Sequence, residues 1–114
     1  MVYNVKEAIT RIELIPELTD KLTYDFFTGE APKLPFAAYT YDFTTGGADD
    51  YYGVQYVEFK LELYSEIRDI ALETKILNTF ADVEITSDSE YLQDERMYIT
   101  TFNFVFPQKL VDIE

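Results

Sequence analysis

Between Tyr56 and Phe80 the spacing of the apolar residues changes from every second position to a helical repeat with no proline or glycine between. Val57, Phe59, Leu61 and Leu63 alternate with Glu58, Lys60 and Glu62, which predicts a strand over 52–64 with one apolar and one charged face. Ser65 then stands where a helix N-cap is wanted, and Ile67, Ile70, Ala71, Leu77 and Phe80 follow at helical spacing, predicting a helix over 65–80. A strand running into an amphipathic helix has two apolar surfaces to bury against each other. That requirement restricts the fold more than any other stretch of the chain.

The flanking sequence supplies the rest of the layers. Val5, Ala8, Ile9 and Ile12 lie at helical spacing behind Asn4, with Glu7 three residues on in capping-box position, and Pro16 stops that helix near Leu14. Short strands are expected near 22–27 and over 36–43. The intervening Thr28–Pro35 and the later Thr44–Asp50, with their glycines, prolines and polar residues, read as mobile loops. After the second helix, 82–86 alternates as a short strand and Ser87–Asp94 reads as a polar loop. Residues 96–106 are apolar on both parities, which suits a central strand or one whose second face a partner covers; Pro107 is expected to end it. The order α-β-β-β-α-β-β predicts an α+β fold, a mostly antiparallel sheet packed by two helices on one face. Residues 1–114 read as one domain, with 107–114 as a tail. Its expected core is Ile9, Ile12, Val57, Phe59, Leu61, Leu63, Ile67, Ile70, Leu77 and Phe102.

Charge and missing residues narrow the chemistry. Nine Lys and Arg against 22 Asp and Glu give a formal net charge of −13, which repels phosphate backbones and anionic headgroups and disfavours nucleic-acid binding. A hydrophobic fraction of 47% still permits a packed core despite that charge. The sequence has no Cys and no His, so thiolate nucleophiles, disulfides and Ser-His or Cys-His pairings are ruled out. No apolar run approaches the roughly 20 residues that span a bilayer, and the first residues lack a signal-peptide layout. A soluble domain of the cell interior or of a virion is the expectation.

Acids are the only plentiful reactive groups. Asp49-Asp50 and the series Asp82, Glu84, Asp88, Glu90, Asp94 and Glu95 are the candidates for a hard-cation site or an acid/base pair in a metal-assisted hydrolase. Neither has EF-hand spacing or its glycine, so both read as solvated acids. Gly46-Gly47 lacks the Lys-Ser/Thr of a phosphate loop and reads as a turn. No catalytic, cofactor-binding or metal residue is therefore expected. Ten Tyr and nine Phe are more rings than a core this small needs, and Tyr39, Tyr41, Tyr51, Tyr52, Tyr56, Tyr64, Tyr91 and Tyr98 each carry a hydroxyl that wants a partner. Tyrosine is enriched at protein interfaces. Asp49, Asp50, Tyr51 and Tyr52, two acids beside two rings, are the candidate subunit contact; the alternative is that the tyrosines simply begin the strand.

Four segments carry a family resemblance: Leu34–Tyr39 entering a strand, Ala48-Asp49-Asp50 before the long strand, Val57–Ser65 running into a helix, and Tyr91–Tyr98 opening the last strand. Together they resemble the tail terminator or tail-completion proteins of long-tailed phages, also called minor capsid or head–tail joining proteins, over about residues 1–106. The resemblance implies a small α+β subunit that forms a homo-oligomeric, hexameric ring, caps the tail tube and joins it to the head connector. Its partners would be further copies of itself, the tail tube protein and the connector protein, with no specific nucleic-acid binding and no membrane. Its place would be the head-proximal end of the virion tail, after assembly in the host cytoplasm. A different class, an acidic adaptor or inhibitor domain that engages a basic protein, fits the composition as well.

Overall fold

A computed structural model describes residues 4–45 and 54–109. It has the predicted α+β order: helix α1 (Val5–Glu13), strands β1 (Leu22–Tyr24), β2 (Phe36–Thr45) and β3 (Val54–Ser65), helix α2 (Ile70–Thr79), and strands β4 (Ile85–Leu92) and β5 (Met97–Lys109). The five strands form one sheet in the order β1-β2-β3-β5-β4; only β1 and β2 are parallel.

The alternation of β3 decides how the sheet sits. Val57, Phe59, Leu61 and Leu63 are buried, while Glu58 and Lys60 are exposed. Register carries that division across the sheet. Phe59 lies between Tyr41 and Phe104, and Leu61 between Tyr39 and Phe102. Both helices pack on this face, through Ala8 and Ile12 of α1 and Leu72 and Ile76 of α2, with Ile15, Leu18 and Phe80 beside them in one continuous cluster.

The caps are local chemistry. Asn4 Oδ1 accepts from the Glu7 amide at 2.8 Å, as the Asn-x-x-Glu spacing predicts, and a 3-10 turn at Pro16–Leu18 follows the helix. Arg11 then ties the helices together. Its guanidinium donates to the Thr79 carbonyl at 3.1 Å and to both carboxylate oxygens of Asp82, at 2.8 and 3.1 Å. A cation beside the last carbonyls of α2 also suits the helix dipole.

Three expectations are corrected. Ser65 is not an N-cap. β3 keeps its pairing to Ser65, opposite Tyr98, and α2 begins at Ile70 behind Asp69, whose side chain accepts from the Leu72 amide at 3.0 Å. The helix therefore turns Leu72, Glu73 and Ile76 inward, while Ile67 and Ile70, expected in the core, are 75% and 56% exposed. The strand expected over 82–86 and the loop over 87–94 are instead one strand over 85–92, polar because it is an edge strand facing solvent. Pro107 does not end the last strand, which runs on to Lys109 opposite Val54. β4 begins at Ile85, opposite Phe104, so no neighbour on that side needs the N–H that Pro107 lacks. The central position of β5, between β3 and β4, is as expected.

Candidate interface surfaces

The first surface lies at the β1–β2 edge, on the helix side of the sheet, beyond the cover of the helices. Tyr24 of β1 packs edge-on against Tyr39 and Tyr41 of β2, with ring centres 5.5 and 5.6 Å apart. Tyr41 continues to Phe43 at 5.5 Å, and Tyr39 and Tyr41 stack on the buried Phe59 at 5.6 and 6.4 Å. The inner end of this ladder belongs to the core, whereas Tyr24 and Phe43 are about half exposed. Desolvation, followed by the neighbouring Tyr41 hydroxyl, pushes the Tyr39 phenol above its ordinary value. A contiguous run of half-covered rings is the kind of apolar surface that proteins use for association.

The second surface is the face of the sheet that no helix covers among the described residues. Alternation puts Asp42, Glu58, Glu62, Glu84, Asp88 and Glu90 on it, interrupted by Lys60. Its middle is an open concavity of about 490 Å³, lined among others by Asp42, Glu58, Lys60, Glu84, Thr86 and Asn103. One end is apolar. There Phe36 stacks on Tyr64 at 5.1 Å and Phe27, from the β1–β2 connection, meets Phe36 edge-on at 5.4 Å. Burial, with a smaller contribution from Glu62, raises the Tyr64 phenol above its ordinary value.

The third surface is the β3–α2 connection, where Ile67 and Ile70 flank a polar clamp. Arg68 holds the buried Glu73 carboxylate with two hydrogen bonds of 3.2 Å; Thr100 donates to it at 3.5 Å and shares a 2.7 Å bond with Ser89. Glu73 sits on the inward face of α2 at 6% exposure. Its charge is therefore answered from the connection rather than from water.

The sequence candidates fall unevenly on these surfaces. Asp49, Asp50, Tyr51 and Tyr52 lie outside the described residues, as does most of the expected loop Thr44–Asp50. Tyr39 and Tyr41 join the ladder, Tyr56 is exposed on the open face, and Tyr91 packs edge-on to Tyr98 at 4.9 Å on the opposite sheet edge. The acid series is dispersed. Asp82 is paired with Arg11, which holds its carboxyl well below the usual carboxylate range. Glu84, Asp88 and Glu90 line the open face, and Asp94 and Glu95 occupy the β4–β5 turn. Among the described residues no three acids converge on a point where they would hold a metal ion. Sequence reasoning missed the Arg68–Glu73 clamp; the only signal for it was an acid at a position that the helical repeat of Leu72 and Ile76 turns inward. No protein-family model matches the chain, and no curated protein matches it.

Proposed function

We propose that this chain is a structural subunit of a phage or prophage tail, a terminator that caps the tail tube and joins it to the head connector as a ring of identical copies, without chemistry of its own. The observation that carries the reading is the asymmetry of the sheet's two edges. One bears the Tyr24–Tyr41–Phe43 ladder and the other a polar strand with Tyr91, so each subunit offers two dissimilar surfaces. A head-to-tail ring needs two such surfaces, whereas a two-fold dimer uses one surface twice. The α+β order agrees with the layout that the sequence resemblance implies. The acidic open face supports passage of DNA past the ring without retention, because like charge releases no counterions.

Co-expression with the tail tube protein of the same genome tests the reading. Electron microscopy should find tubes closed at one end by a ring; tubes of unlimited length with bare ends would refute it. The acidic face favours a second reading, an adaptor that binds a basic protein. That reading expects salt-sensitive capture of a basic partner by a monomer and no effect on tubes.

A further inference from the structure

The two outer edges of the sheet are strands with unused backbone groups. Ala37 N–H donates to the Lys21 carbonyl, and Asp25 N–H donates to that of Tyr39, so the odd-numbered residues of β2 point their backbone groups outward. β1 covers only Ala37–Tyr39, and its chain turns away at Asp25, where φ is +65°. Beyond that point Tyr41 and Phe43 present N–H and C=O groups to solvent, with no strand beside them among the described residues. Carrying the alternation across the register makes Ile85, Ser87, Ser89 and Tyr91 the outward residues of β4 at the far edge. Free strand edges are templates for another strand.

Strand direction says which strand fits. β2 and β4 run in opposite directions, because three antiparallel pairings separate them. Rotation about a ring axis along the strands preserves direction, so β4 of one copy meets β2 of the next antiparallel. Side-chain parity matches as well: the outward-bonded residues of both edges face the helix side, so pairing continues the apolar face onto apolar and the acidic face onto acidic.

We infer that a second copy of this chain docks its β4 edge, antiparallel, against the unpaired outer edge of β2 at Tyr41–Thr44, which makes the sheet continuous from subunit to subunit. The inference rests on the ring reading above and names its seam. The turn at Asp25 sets the register. Sliding β4 until Leu92 reaches that stop places Tyr91 opposite Tyr41, Ser89 opposite Phe43 and Asp88 opposite Thr44. The aromatic ladder then gains Tyr91 from the neighbour. Glu90 falls opposite Asp42, a like-charge pair that opposes spontaneous closure and makes assembly stronger in salt.

The absence of cysteine from the sequence gives a clean test. Thr44 and Asp88 are both exposed, and within one subunit three strand spacings, about 14 Å, keep them too far apart for a disulfide. Across the seam they are a non-hydrogen-bonded pair, whose spacing a disulfide tolerates. Oxidising the purified Thr44→Cys/Asp88→Cys chain at high concentration and high salt should give a covalent ladder beyond the dimer. Either single variant should stop at dimer. Ser87→Pro lies one step along the seam, opposite Thr45, and removes an outward N–H that has no acceptor among the described residues of one subunit; it should lower ladder yield at least tenfold in that background while the melting temperature holds. Asp42→Asn should raise the yield and reduce its dependence on salt. Rings of the unmodified chain by microscopy without a ladder would overturn the seam and leave the ring reading standing. A ladder without closed rings would keep the seam and remove the ring reading. Monomer under every condition, with neither ladder nor ring, would remove both.

Discussion

The two faces of this sheet are built from the same strands, yet they obey different rules. On the helix side Val57, Phe59, Leu61, Phe102 and Phe104 are sealed, and their neighbours are other apolar side chains. On the open side Glu58, Lys60 and Glu62 alternate with the sealed residues of β3, Asp88 joins them from β4, and all four carry charge toward solvent. One face stores the free energy of folding; the other sets which surfaces are attracted and which repelled. The contrast teaches that a period-two strand separates stability from recognition residue by residue, so neighbouring positions should answer mutation very differently.

The sharpest way to break that contrast is a pair of neighbours. Phe59, 1% exposed, stacks on Phe104 at 5.0 Å and on Tyr39 at 5.6 Å, so Phe59→Ala should destabilise by about 3–5 kcal/mol in a urea melt. The adjacent Glu58→Ala should stay within about 0.5 kcal/mol. Equal losses at the two sites would dissolve the distinction.

Less disruptive, and aimed at a charge buried on the apolar side, is the Arg68–Glu73 clamp. Arg68→Met strands a buried carboxylate and should lower the melting temperature. Adding Glu73→Leu should restore it, because removing both charges leaves nothing unpaired on a face otherwise lined by Leu72 and Ile76. If the double variant is less stable than Arg68→Met alone, Glu73 is held by more than its ion pair.

How much of this was legible beforehand follows the same division. The buried face of β3 and the start of α1 could be read directly, because alternation and the Asn4–Glu7 spacing each have a single physical cause. β4 could not. An edge strand needs little apolar patterning, so Ser87–Glu90 looks like a loop until β5 pairs with it. The phase of α2 is ambiguous in sequence because Ser65 and Asp69 are both good N-caps; continued pairing of β3 with Tyr98 decides between them. The Tyr24–Tyr41–Phe43 ladder depended on β1 lying beside β2, a parallel pairing that no short-range pattern announces. Asp49–Tyr52 remains where the sequence left it, outside the described residues.

A smaller effect separates the helix-to-helix tie from the core beneath it. Arg11 depresses the Asp82 carboxyl below its unfolded range, so the pair's stabilisation is fully present above the ordinary aspartate pKa. It is lost as pH falls through the lowered folded value. Because both groups are partly solvated, with side chains 23% and 32% exposed, screening limits the contribution to about 0.5–1 kcal/mol. Melting the parent and Asp82→Asn side by side at falling pH should show the gap between them closing in acid. A gap independent of pH would assign the loss to packing instead of charge.

The smallest expected effect is the most discriminating for the helix register. The sequence repeat that begins at Ser65 turns Ile67 inward, and there Ile67→Ser would remove a buried branched side chain and cost several kcal/mol. The structure has Ile67 in the connection before Asp69, 75% exposed, with the inward positions taken by Leu72 and Ile76. Ile67→Ser should therefore change stability by less than about 0.5 kcal/mol in the isolated chain. Ile76→Ala, at a site with no exposure, should cost about 2–5 kcal/mol. A large loss at Ile67 alongside a small one at Ile76 would restore the earlier helix start and rotate α2 on the sheet. The opposite pattern fixes the helix as described and leaves Ile67 and Ile70 as apolar surface that stability does not require.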